Sequence, residues 1–146
     1  MSYWDTSTLV KLYVREMDST AFESHALNTA GPMVTCRISL FEACATFRRK
    51  ESDGLLQTAT GQTLYNELLQ DVIAGEIRLN EMGTGVEHKF GEVLNLCYQH
   101  TPPIPIRTLD ALPLASARVA RETEIVATDK RMRVAAKLLG FSLFPA

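Results

Sequence analysis

The chain has 146 residues, 46% of them apolar and 22% charged, the size and balance of one soluble domain with a substantial core. Its 15 basic and 17 acidic residues give a formal charge of −2, which excludes a polybasic nucleic-acid tail but not basic groups placed around an acidic centre. The three cysteines, Cys36, Cys44 and Cys97, form neither a CxxC pair nor an even disulfide framework, and no apolar run is long enough to cross a bilayer. No signal peptide is read after Met1, so the expected setting is reducing and cytoplasmic.

No linker, repeat or low-complexity tract interrupts the sequence, and residues 1–146 are read as a single domain. Ser2 to Asp5 reads as a first strand. Ser7 to Val14, with Leu9, Val10, Leu12 and Tyr13 at helical spacing, reads as a helix with Asp5-Thr6-Ser7 supplying capping oxygens. A second helix is expected over Thr20–Asn28, then a Gly31-Pro32 turn and a strand over Met33–Thr35. Ser39–Glu51 reads as a helix with Leu40, Ala43, Cys44 and Phe47 on one face and Ser39, Glu42, Thr46 and Arg49 on the other. Gly54–Ala74 reads as a long helix or helical pair weakened near Gly61, followed by a strand over Ile77–Asn80 and a helix over Val86–Tyr98. Pro102, Pro103 and Pro105 force an extended connection, and Asp110 opens a helix through Arg121 that tolerates Pro113 in its first turn. Ile125–Ala127 is a β-branched strand, Thr128-Asp129 starts a last helix that stops at Gly140, and Phe141–Phe144 is a final edge strand. Strands alternating with helices predict an α/β fold with a mostly parallel sheet covered on both faces.

Within that plan, apolar stretch, acid and amphipathic helix recur three times, in YWDTSTLVKLY, RTLDALPLASA and IVATDKRMRVAA. If the stretches are parallel strands, Asp5, Asp110 and Asp129 meet at one sheet edge, where open α/β sheets bind ligands. Glu42 projects from the polar face of its helix and completes a set of four. Each acid also has a purely structural explanation, since Asp caps helix starts and Glu populates solvated faces. The recurrence favours a shared site. Clustered carboxylates repel, and oxygen ligands suit a hard divalent ion such as Mg2+ or Mn2+, one or two of them, as in metal-dependent phosphodiester chemistry. Ser7 and Thr128 are hydroxyl neighbours able to orient a carboxylate or act as further caps.

In this order, YWDTSTLVKLY, SLFEACATFRRK, TLDALPLASA and VATDKRMRVAA resemble the PIN-domain ribonucleases, and among them the VapC-like toxins of bacterial toxin–antitoxin pairs. The resemblance runs from Tyr3 to Phe141. It implies a three-layer α/β/α sandwich around a parallel sheet, with Asp5, Glu42, Asp110 and Asp129 as a catalytic, Mg2+- or Mn2+-binding quartet. It also implies supporting roles for Ser7 and Thr128, a cognate antitoxin, an RNA substrate and a homodimer. One departure is Pro113, where many relatives carry His.

Arg48, Arg49 and Lys50 end the Glu42 helix, and Lys130 and Arg131 follow Asp129. Charge runs are often solvated faces, but Arg49, Lys130 and Arg131 are candidates to hold RNA phosphates beside the acids. His25, His88 and His100 lack metal-ligand spacing and are read as structural, and Trp4 as core. Two rival functions remain at this stage. One is a catalytically silent scaffold binding RNA or a protein. The other is a Mg-dependent aspartyl-phosphate phosphatase, although Ser7 stands where that class carries a second Asp.

Overall fold

The computed structural model describes residues 1–146. Five short strands make one sheet: β1 (Ser2–Trp4), β2 (Met33–Cys36), β3 (Ile77–Asn80), β4 (Glu124–Val126) and β5 (Ser142–Phe144). Their order is β3-β2-β1-β4-β5, and every neighbouring pair is parallel. Seven helices connect them: α1 (Thr6–Val10), α2 (Ser19–Asn28), α3 (Ile38–Ser52), α4 (Thr60–Ala74), α5 (Thr84–Gln99), α6 (Thr108–Val119) and α7 (Lys130–Leu138). None is long and apolar enough to cross a membrane.

The period-2 alternation of the strands sorts side chains into two cores. Tyr3, Val34 and Ile125 point into a cluster with Val93 of α5, Leu114 of α6 and Met132 of α7. Trp4, Val126 and Ile77 point the other way, against Leu9 of α1, Phe22 of α2, Phe47 of α3 and Leu68 of α4. Adjacent residues of β1 thus serve opposite helical layers, which is the three-layer α/β/α arrangement expected. The order in which strands are added reverses at β1, with β2 and β3 laid down on one side and β4 and β5 on the other, so a crevice opens at the carboxyl ends of β1 and β4.

Several elements depart from the sequence reading. The helix expected over Ser7–Val14 begins at Thr6 and stops at Val10, giving way to turns. The buried Ser19 hydroxyl donates to the Lys11 carbonyl at 2.8 Å, satisfying a group that the shortened helix leaves free. Between Gly54 and Ala74, helix forms only from Thr60, because Ala59 adopts a left-handed φ of 67°. Gly61 is not a break; it lies in the first turn of α4, buried against the Phe47 backbone of α3. Ser39, assigned to a polar face, is buried and accepts a 2.8 Å hydrogen bond from Thr35. The stretch before Asp110 is not a strand: Ile104 and Ile106 are buried in an irregular segment, and the helix begins at Thr108.

Candidate active site

A cavity of about 720 Å3 opens at the carboxyl ends of β1 and β4, and Asp5, Glu42, Asp110 and Asp129 all line it. Asp5 directly follows β1, and its backbone N–H donates to the Val126 carbonyl of β4 at 3.0 Å, so the sheet itself sets its position. The Thr8 hydroxyl ties the same edge together, donating to the Asp5 and Val126 carbonyls at 2.9 and 2.8 Å. Asp129 caps α7, accepting from the Met132 N–H at 2.9 Å, and enters the cavity beside Thr128. Glu42 arrives from α3 because Glu42, Thr46 and Arg49 share the face opposite the buried Leu40, Ala43 and Phe47.

Asp110 reaches the cavity by a different route from the one its sequence context suggests. It is the third residue of α6 and only 7% exposed. Its carboxylate accepts from the Arg107 N–H at 3.3 Å and from Arg107 Nε and Nη2 at 3.0 and 3.3 Å. The capping arrangement between Arg107, the extended N-cap of α6, and Asp110 thus replaces a strand end as the positioning device, and Arg107 lines the cavity.

Hydroxyl groups hold the carboxylates of Asp5 and Glu42. Ser7 donates to Asp5 Oδ2 through Oγ at 2.5 Å and through its backbone N–H at 3.2 Å. Thr6, in α1, donates to Glu42 Oε2 at 2.5 Å. Burial pushes the Asp5 carboxyl above its ordinary range, the Ser7 bonds pull it back, and the charge of Asp110 raises it again. Burial likewise raises Glu42; the Thr6 bond opposes this, while the charges of Asp5 and Asp110 add to it. The acids feel one another, and no cation offsets the rise at Asp5 or Glu42, whereas Asp110 is paired with Arg107. No three His, Cys, Asp or Glu side chains, however, stand close enough together to clasp one ion among themselves.

The cavity gathers Ser7, Thr128 and Arg49 with the acids, as the sequence led one to expect, but Lys130 and Arg131 are exposed and lie outside its lining. Both point from the first turn of α7 to solvent, since Asp129 rather than the residues after it faces inward. The sequence reading missed Thr6, Lys11, Glu16 and Arg107. Arg107 and Lys11 had a legible signal in their spacing, three residues before Asp110 and one helical turn after Ser7. Glu16 had none, because its place depends on the turns after α1. Pro113 is buried inside α6 and does not line the cavity. His25 stacks on Phe144 at 3.8 Å and bonds Glu124, His88 pairs with Glu92, and His100 contacts the Pro102 carbonyl, so none enters the site. Trp4 is fully buried and the three cysteines are free.

No family model matches the chain, and no curated protein matches it in sequence. Solved structures do match. Mycobacterium tuberculosis VapC20, described as a sarcin-ricin loop cleaving toxin, is 15% identical with a TM-score of 0.67, over 92% of this chain and 95% of that one. Rickettsia felis VapBC2, bound to a DNA fragment from its promoter, gives 15% identity and a TM-score of 0.65, over 98% and 97% of the two chains. FitAB bound to the IR36 DNA fragment gives 16% and 0.67, over 99% and 94%. The chain therefore has the fold of the VapC20, VapBC2 and FitAB structures, the PIN-type α/β/α sandwich around an all-parallel sheet.

Proposed function

We propose that the protein is a metal-dependent endoribonuclease, the toxin of a toxin–antitoxin pair, hydrolysing RNA phosphodiester bonds in the cavity at the β1–β4 edge. One observation carries the reading: four carboxylates from separate elements line a single cavity, where burial and mutual repulsion push Asp5 and Glu42 above their ordinary range. A cluster of oxygen ligands in which Asp5 and Glu42 have no cationic partner suits Mg2+ or Mn2+. Mg2+ in particular keeps several waters and needs only one or two protein carboxylates, so it does not require three of the acids to meet on one ion. Asp5 and Asp110 would hold the ion, with Glu42 and Asp129 completing the charge around it. When bound, the ion neutralises phosphoryl oxygens and acidifies an attacking water.

The protein's own part is positioning. Ser7 and Thr6 fix the lone pairs of Asp5 and Glu42, so the carboxylates need not reorganise when substrate arrives. Arg107 orients Asp110 and presents its guanidinium to the same space, where it can meet a phosphate oxygen. The VapBC2 and FitAB structures are complexes bound to DNA fragments, and by analogy with them we infer a cognate antitoxin for this chain; a homodimer is inferred from the motif resemblance alone.

The test is cleavage of a defined RNA panel by protein purified free of any partner, in Mg2+, Mn2+ or EDTA, alongside Asp5→Asn. Metal-dependent cutting that disappears in the variant is the expected result. Cutting that survives EDTA or Asp5→Asn overturns the assignment of this site. If there is no cutting and no thermal response to metal, the chain is a silent RNA- or protein-binding scaffold.

A further inference from the structure

The acids occupy only part of the cavity. Along α3 the lining runs from Glu42 through Thr46 to Arg49 and Lys50, and along α1 from Ser7 through Val10 to Lys11. At 1.5 Å per residue, Lys50 is displaced about 12 Å from Glu42 along the helix and Lys11 about 6 Å from Ser7. Both lysine side chains are tied down: Lys11 Nζ and Lys50 Nζ each donate to Glu16, on different carboxylate oxygens, at 2.9 Å. Glu16 is itself fixed, because its backbone N–H donates to the buried Ser19 hydroxyl at 2.9 Å. The lysine side chains are only 11% and 20% exposed, unlike ordinary solvated surface pairs. Lys11 spends further donors on Asp18, which lies outside the cavity, whereas Lys50 makes no other hydrogen bond or ion pair and keeps donors free.

We propose that Lys50, paired with Lys11 through Glu16, is a phosphate clamp that holds an RNA phosphate neighbouring the scissile one, with Glu16 as its positioning residue. The proposal deepens the ribonuclease reading and rests on it for the identity of the substrate. Acids at one end and paired ammonium groups at the other make the cavity electrically polar along its length. A single strand laid along it places one phosphate at the acidic end, where a cation mediates contact, and another directly on the lysines. Glu16 keeps the two ammonium groups together despite their repulsion, at the cost of part of their positive charge.

The test measures binding of a short single-stranded RNA to the full chain carrying Asp5→Asn, which blocks cutting, across a salt series. Each phosphate contact contributes about 0.7 to the log–log salt slope for a single strand, so Lys50→Gln should flatten the slope by about 0.7 and weaken binding about fivefold at 0.1 M salt. Lys50→Arg should restore both, and Arg48→Gln, on an exposed residue outside the cavity, should change neither. Glu16→Gln separates positioning from bulk charge: removing a negative charge tightens RNA binding if only net charge matters, and loosens it if Glu16 aligns the lysines. Failure of the parent to bind RNA, an unchanged slope in folded Lys50→Gln, or tighter binding by Glu16→Gln overturns the clamp. If the protein without Asp5→Asn cuts RNA while the Lys50→Gln slope is unchanged, the clamp fails and the ribonuclease reading stands. If the slope falls but no metal supports cutting, the ribonuclease reading fails and the clamp survives as an RNA-binding feature.

Discussion

Thr6→Val isolates one hydrogen bond at the heart of the cavity with almost no change in shape. Thr6 is 7% exposed, and its hydroxyl donates to Glu42 Oε2 at 2.5 Å. A hydrogen bond to a charged group is worth about 1.5–3 kcal/mol, but Glu42 is only half-buried and water can replace part of the bond, so about 1 kcal/mol is the expected loss. For a chain of this size that lowers Tm by about 2–4 °C. The loss must also depend on pH. Burial and the charges of Asp5 and Asp110 raise the Glu42 pKa, and the Thr6 bond restrains that rise. A carboxyl raised in the fold stabilises it fully below its unfolded pKa, and this contribution disappears as pH climbs through the folded value. Removing Thr6 raises the folded value further. The deficit of Thr6→Val should therefore be largest at neutral pH and shrink as Glu42 becomes protonated under acid. Thermal melts of parent and variant from acid to neutral pH, without divalent ions, read this directly. A deficit independent of pH would refute the electrostatic coupling and reduce Thr6 to a packing residue.

Other substitutions probe the scaffold and the site separately. Gly61→Ala would place a Cβ 2.6 Å from Glu51 Oε2 and 3.2 Å from the Phe47 carbonyl oxygen, so despite better helix propensity it should lose about 1–3 kcal/mol in urea unfolding; a gain in stability would show that α3 and α4 can separate freely. Phe47→Ala empties a fully buried ring site between α3 and Tyr13 and should lose about 3–5 kcal/mol by the same assay. Saturating Mg2+ at about a hundredfold its Kd should stabilise the parent by about 2.7 kcal/mol, and Asp110→Asn should blunt the Tm rise; equal rises would dissociate Asp110 from metal binding. Hydrogen bonds from Lys50 and Lys11 hold Glu16 below its ordinary pKa, so its contribution is present above the unfolded pKa and lost as pH falls. Parent stability should accordingly drop more steeply under acid than that of Glu16→Gln, as followed by melts.

The sequence disclosed the parts of this structure whose signals are local. The strand Ile77–Asn80 was legible to the residue, because an apolar segment bounded by a Gly-Glu turn and polar residues leaves little choice. Asp5 and Asp129 were legible because helix caps follow strands directly at a parallel sheet's carboxyl edge, and here capping and cavity placement coincide. Asp110 was located in the right cavity by an incorrect local route. Three residues of extended, proline-flanked chain look the same in sequence whether or not a neighbouring strand pairs with them. Lys11, Glu16 and Lys50 show the opposite limit. Their bridge joins the end of α1, a turn and the end of α3, and no periodicity within one element predicts contact among three. The Lys11 carbonyl freed at the early end of α1 is satisfied by Ser19, which lies beyond the helix.

The central position of β1 also dictates when the cavity can exist during synthesis. Ser2 and Glu124, paired across β1 and β4, are 122 residues apart, and Asp129 follows still later. At about 5–20 residues per second, a ribosome needs roughly 6–25 s between making the first half of that edge and the second. For most of the interval the nascent chain has Asp5 and Glu42 but lacks β4, Asp110 and Asp129, which complete their surroundings. The cavity thus cannot be assembled before Asp129 has been made, and a chain released earlier carries the opening motif without the complete pocket.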